Sequence, residues 1–166
     1  MDTWLAIASR RETREYTDRP ISEEVVSTIL DAGRLAGSGK NRQPWRFIRV
    51  ESESARERLA EAVFAPDNVR GARLVVAIIG RSSFDTGRCA QNMLLAAWNA
   101  GVGSCPNGQK DPEAARTALG LAADDEIAIV LTFGYPVRER EPERRSPEEW
   151  SARADRKPLD ELVERL

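Results

Sequence analysis

Three arginines fall within five positions near the start of the chain, in the stretch Ser9-Arg10-Arg11-Glu12-Thr13-Arg14-Glu15-Tyr16. A guanidinium keeps its charge, and its planar fork matches the oxygens of a phosphate. Crowded guanidiniums repel unless an anion relieves them or acids flank them, and Glu12, Glu15 and Asp18 are close enough in sequence to flank. Two readings follow: a solvated charged turn, the commoner fate of such a run, or an anion site. A second candidate is Gly37-Ser38-Gly39-Lys40-Asn41-Arg42-Gln43-Pro44-Trp45. Its glycines let backbone N–H groups come close to a ligand, although a plain helix-to-strand turn needs glycine and asparagine as well. Far down the chain, Arg153, Arg156 and Lys157 precede Pro158. They read either as a solvated face or as the completion of the anion site begun at Arg10.

The missing residue types narrow the chemistry. The 166 residues include no histidine, which removes Ser-His-Asp and Cys-His triads, HExxH zinc sites and histidine proton shuttles. Cys89 and Cys105 are the only cysteines, too few for a disulfide framework, so a reduced, cytoplasmic setting is expected. A zinc site on two distant thiols is not expected. Cys105 has no basic partner fixed by sequence and reads as a buried small residue rather than a nucleophile. Either carboxylates or a bound cofactor must then do the work, and the second fits a chain rich in arginine and poor in reactive groups of its own. A net charge of -2 gives no general attraction to nucleic acid or membrane surfaces. No apolar run reaches transmembrane length, and the N-terminus shows no secretory signal.

The elements that must position these residues suit one domain over residues 1–166. A short helix is predicted over residues 2–9, with Asp2 as its cap and Trp4, Leu5 and Ile7 for packing. Ser22 opens a second helix, ending at Gly37, whose Val25, Val26, Ile29, Leu30 and Leu35 recur at helical spacing. Residues 47–50 read as a strand and residues 54–64 as a helix, with a break marked by Pro66, Asp67, Asn68 and Gly71. The unbroken apolar run over residues 74–79 suits a strand covered on both faces. Asp85 is the expected cap of a helix from about Thr86 to Ala100. That helix is apolar around most of its circumference, so a partner subunit is expected against one side. Gly101 to Gly108 reads as a loop, residues 112–119 as a short helix, and residues 126–133 as a third clear strand. A charged arm is expected over residues 137–149. Leu159, Leu162, Val163 and Leu166 then resume helical spacing, as a docking tail would.

Four segments, in order from end to end, resemble the nitroreductase family of FMN-dependent oxidoreductases. They are Arg10 to Arg14, then Ser38 to Trp45, then Gln91 to Ala97 running into Gly101 to Cys105, and last Phe133-Gly134-Tyr135-Pro136 with the late Arg156-Lys157-Pro158-Leu159. The resemblance implies an α+β sandwich: a mainly antiparallel central sheet flanked by helices, in an interlocked homodimer with FMN at each of two interface sites. By the same resemblance, Arg10, Arg11 and Arg14 look like contacts to the FMN phosphate, ribityl chain and pyrimidine edge. Ser38, Gly39 and Asn41, with Gln43 nearby, look like the loop given by the other subunit. Pro106, Asn107 and Gly108 look like the segment passing the flavin ring near N5. Arg156, with Arg153 or Lys157, looks like the basic pair that closes on the phosphate. The implied activity passes reducing equivalents from NADH or NADPH to a small electron-poor acceptor (a nitro compound, quinone or enone) by a ping-pong mechanism. No catalytic acid is assigned. The alternatives are a specialised enzyme on the same scaffold (flavin fragmentation, dehalogenation or azoline oxidation), with a deazaflavin as possible donor, or a flavin-holding protein without turnover. Two positions depart from the family: Glu12 stands where serine is usual, and Gly37 where proline is usual.

Overall fold

A computed structural model describes residues 1–165. The chain forms two compact units, one made of residues 11–139 and the other of residues 1–10 together with the chain from Arg140 on.

In the larger unit, strand β2 (Leu74–Ile79) is buried along its whole length. Successive side chains of a strand point to opposite faces. Leu74, Val76 and Ile78 therefore enter one apolar cluster, and Val75, Ala77 and Ile79 enter another. Strand β1 (Arg46–Arg49) pairs with one edge of β2, and β4 (Ile127–Gly134) with the other. Strand β3 (Gly103–Asn107) pairs with the far side of β4. Every pairing is antiparallel, in the order β1-β2-β4-β3.

Helices cover both faces. Helix α2 (Glu23–Arg34) and helix α5 (Phe84–Asn99) bring Val26, Ile29, Cys89, Met93 and Ala97 onto the face that holds Val76 and Ile78. Helices α3 (Glu53–Glu61), α4 (Pro66–Gly71) and α6 (Pro112–Ala118) bring Leu59, Val69 and Ala115 onto the other. Ile29, Met93 and Phe133 are fully buried, each contributing roughly 1.5–3 kcal/mol by leaving water. Helix α5 stops where Gly101 takes a φ of 74°, a conformation that costs glycine nothing.

In the smaller unit, α1 (Thr3–Ser9) packs against α7 (Pro147–Ala152). Asp2 caps α1 by accepting from the Leu5 N–H at 3.0 Å. The Trp150 indole donates to the Pro142 carbonyl at 2.7 Å, and Arg145 lies over its ring.

Several expectations are corrected. Pro66, Asp67, Asn68 and Gly71 bound and fill α4 rather than break the chain, because proline is tolerated in a helix's first turn. Ser83, not Asp85, caps α5, in a reciprocal arrangement with Thr86. Residues 103–107, read as loop, are the edge strand β3. The charged arm is interrupted by a 3₁₀ turn at Pro142–Arg144 and by α7, which Ser146 and Glu149 open as a capping box. Trp4 and Ile7 are about half exposed, at 56% and 49%, rather than packed. Leu159, Leu162 and Val163 are exposed around a 3₁₀ turn at Leu159–Glu161, and Leu166 lies outside the described residues. No helix among the described residues is long and apolar enough to cross a membrane.

Candidate functional site

The arginine-bearing segment runs beside β3. Glu12 forms a parallel bridge with Ser104, and the Thr13 N–H donates to the Ser104 carbonyl at 3.0 Å. The approach is close enough to require glycine at position 103: a Cβ there would lie 2.6 Å from Thr13 Oγ1. This packing turns Thr13 inward, at 3% exposure, and sends Arg14 into solvent, with Arg11 half exposed. Arg14 forms no ion pair among the described residues. Its charge is available to a ligand.

The loop from Ser38 to Gln43 is built differently. Ser38 Oγ accepts from the Gln43 N–H at 2.8 Å and closes the loop on itself. The Gln43 side chain donates to the Asn41 carbonyl at 3.3 Å. Asp85, released from capping, accepts from the Gly39 N–H at 3.1 Å and ties the loop to the start of α5. Lys40, Asn41 and Gln43 all have positive φ, at 54°, 55° and 49°. Left-handed non-glycine residues cost free energy and gather at ligand clamps and turns. Lys40 and Arg42 are exposed. Among the described residues, no hydrogen bond or ion pair joins this loop to the arginine segment or to β3.

At the end of β3, strand alternation decides which groups face outward. Pro106 and Gly108 are exposed, whereas Asn107 is 3% exposed. The Asn107 side chain therefore does not point toward a surface ligand. Its Nδ2 donates to the Cys105 carbonyl at 2.9 Å and to Thr132 Oγ1 at 3.1 Å, and its Oδ1 accepts from Asn68 Nδ2 at 2.9 Å. Thr132 Oγ1 lies 3.0 Å from the Tyr16 hydroxyl, which donates to the Thr13 carbonyl at 2.6 Å. Burial pushes the Tyr16 phenol well above its ordinary range, against the opposing hydrogen bond with Thr132, so it stays protonated and can donate. Asn68, Thr132 and Tyr16 were not among the residues picked from the sequence. No short-range pattern marks them, since their partners lie up to 116 positions away.

In the smaller unit, Arg10 ends α1 and its N–H donates to the Ala6 carbonyl. Arg153 ends α7, while Arg156 and Lys157 follow as exposed cations. Neither cysteine is poised as a nucleophile. Both are buried, and burial pushes the Cys89 thiol up to about 11.

Taken unit by unit, these features suit an anionic ligand with a polar ring. Exposed guanidiniums suit phosphate, the loop exposes the Asn41 and Gln43 amides, and Pro106 and Gly108 are exposed at the end of β3. Comparison with known proteins agrees. The nitroreductase family model matches residues 7–81 and 76–135. A protein of Archaeoglobus fulgidus, assigned as an NADH dehydrogenase/NAD(P)H nitroreductase, is 29% identical over 167 residues, spanning 87% of this chain and 96% of its own. The NADPH-flavin oxidoreductase of Vibrio harveyi is 29% identical over 171 residues, spanning 88% of this chain and 70% of its own. A Desulfovibrio desulfuricans protein assigned as a nitroreductase, solved in complex with FMN, superposes with a TM-score of 0.82 at 29% identity, covering 98% of this chain and 96% of that one. With the family model matching most of its length, this chain belongs to the nitroreductase family.

Proposed function

We propose that the protein is an FMN-dependent oxidoreductase, acting as a homodimer, that carries reducing equivalents from NADH or NADPH to a small electron-poor acceptor in two alternating half-reactions. The observation that carries this reading is the likeness, over nearly the whole chain, to a nitroreductase-type protein solved with FMN.

The residues of this chain fit that cofactor. Its phosphate is dianionic, and Arg14, Lys40 and Arg42 are exposed with no carboxylate partner among the described residues. Arg10 and Arg11 lie in the same sequence stretch as Arg14. Arg153, Arg156 and Lys157 supply further cations from the C-terminal stretch. In the loop of Ser38, Gly39, Asn41 and Gln43, given by the second copy, the Gly39, Asn41 and Gln43 N–H groups already donate within the chain, and the exposed Asn41 and Gln43 side-chain amides are what it offers to the ring. The left-handed backbone of Asn41 and Gln43 holds those groups ready before the ligand arrives. Pro106 and Gly108 face outward at the end of β3 and present main chain to the ring edge. Asn107, buried as a whole with its side chain used inside, contributes by holding this end of the strand in place.

When bound, FMN would supply the two-electron redox chemistry between a nicotinamide and the acceptor. The protein's own part is to bind, orient and tune. It needs no histidine for this, in keeping with a sequence that has none.

The test is spectroscopic. The purified protein should take up FMN and turn yellow. Anaerobic NADH or NADPH should bleach it in a stopped-flow experiment, and a nitroaromatic should restore the colour. Colour without bleaching would make it a flavin-holding protein. A chain that takes up no FMN would refute the cofactor assignment.

A further inference from the structure

Four polar side chains that the reaction does not use directly are held together inside the larger unit. Asn68 on α4, Asn107 on β3 and Thr132 on β4 are each at most 4% exposed, and Tyr16 is partly buried. The protons available give the set a direction. Asn68 Nδ2 donates to Asn107 Oδ1, which leaves the Asn107 amide protons for the Cys105 carbonyl and Thr132 Oγ1. The Tyr16 proton goes to the Thr13 carbonyl, its shortest contact. The Thr132 proton is then shared between the Cys105 carbonyl and the Tyr16 oxygen, both at 3.0 Å.

Both ends of this chain of bonds meet main chain directly beside residues that the FMN reading uses. One end fixes the Cys105 carbonyl, directly before Pro106. The other fixes the Thr13 carbonyl, between Arg11 and Arg14. Proline has no N–H to give to a sheet ladder, so side chains hold this part of the edge strand where backbone bonds are fewer. An apolar filling would pack the space, as it does around β2, but would not couple the two segments. A buried polar chain with every member satisfied has few other arrangements.

We infer that Asn68, Asn107, Thr132 and Tyr16 form a positioning relay that couples the arginine end of the flavin site to its ring end. The inference rests on the FMN reading above. Thr132 is the hub, and removing its hydroxyl releases both segments. Cofactor affinity and the cofactor's reduction potential then change together, although none of the four side chains needs to touch the cofactor.

The experiment uses the full chain loaded with FMN and compares Thr132→Val, which keeps the shape and loses the hydroxyl, with Thr132→Ser, which keeps the hydroxyl. The readouts are the FMN dissociation constant, the two-electron midpoint potential and the melting temperature. Thr132→Val is expected to weaken FMN by about tenfold and to change the ratio of reduced to oxidised flavin affinity by about tenfold, about 30 mV for a two-electron couple. Thr132→Ser is expected to stay within about twofold of wild type on both. Tyr16→Phe, which loses only the arginine-end bonds, must also move the potential, and it serves if Thr132→Val does not fold. A folded Thr132→Val protein with unchanged affinity and potential overturns the relay. So does a Thr132→Ser protein that behaves like Thr132→Val, or a Tyr16→Phe protein altered in affinity alone. A wild-type protein that takes up no FMN fails at an earlier step, before any substitution, and removes both the relay's ligand and the cofactor assignment.

Discussion

Arg46, Arg49, Arg70 and Arg73 each meet a carboxylate: Asp125 at 2.7 Å, Glu23 at 2.6 Å, Glu57 at 2.6 Å and Asp18 at 2.8 Å. Arg70 also reaches Glu61 and Asp67. Arg14 in the larger unit, and Arg153 and Arg156 in the smaller, are exposed and meet none among the described residues. The two groups are identical as residue types. The first has its charge met by a carboxylate of the same chain, and the second keeps a charge that no described carboxylate meets. Arg56 is a third kind: half buried, it spends its guanidinium on the Ala72 and Val50 carbonyls at 2.8 and 3.4 Å. Burial lowers its pKa, and the nearby charge of Arg73 lowers it further. Partners, more than charge, tell these arginines apart.

The contrast can be broken by substitution. Arg14→Ala has the largest expected effect, because each charge-assisted bond to phosphate is worth roughly 1.5–3 kcal/mol. FMN should bind about tenfold or more weakly by fluorescence titration, a loss of about 1.4 kcal/mol or more. The unliganded protein should unfold at the same urea concentration. If its FMN affinity is unchanged, Arg14 is not a phosphate ligand. Arg56→Met should do the reverse. Two carbonyls lose their donor, which costs about 1–3 kcal/mol in urea unfolding, while FMN affinity stays put.

Arg70→Ala should cost less, a small drop in the urea midpoint, since its partners are exposed. That cost should shrink further in high salt. The smallest effect is the acid response. Hydrogen bonds from Arg49, Arg70 and Arg46 hold the Glu23, Glu57 and Asp125 carboxyls below their usual range. Stability from these pairs is therefore present above the ordinary carboxylate pKa of about 4 and is lost as pH falls through the lower, folded values. The urea midpoint should decline slightly below about pH 4, and Arg49→Gln should flatten that decline.

Much of the fold was legible because apolar periodicity is local. The run Leu74 to Ile79 reads as a strand covered on both faces and residues 126–133 as a further strand, and both are strands of the sheet. Strand β3 was hidden because Gly-Ser-Cys-Pro-Asn has neither β-branched residues nor alternation, and its pairing with β4 supplies what propensity lacks. Helix α4 was hidden by Pro66 and Gly71, read as breakers although they stand at its two ends. For α7 the signal was available: Ser146 followed by Glu149 is a capping box, overlooked inside a charged stretch. In the candidate site the arginines were legible as a class, but their sorting into paired and unpaired was not. Asp125, which partners Arg46, lies 79 positions further along the chain. The inward turn of Asn107 was equally hidden, because it depends on β3 being a strand and on Asn68 and Thr132 being folded against it.

Strand β2 carries a mechanical consequence. Its odd and even side chains are committed to separate apolar clusters, one beneath α2 and α5, the other beneath α3, α4 and α6. Sliding the strand by one position would exchange the two sets and push valine or isoleucine into the space shaped for Ala77. Each helical layer thereby acts as a ratchet pawl for the other, and β2 cannot creep along its neighbours unless both layers lift at once.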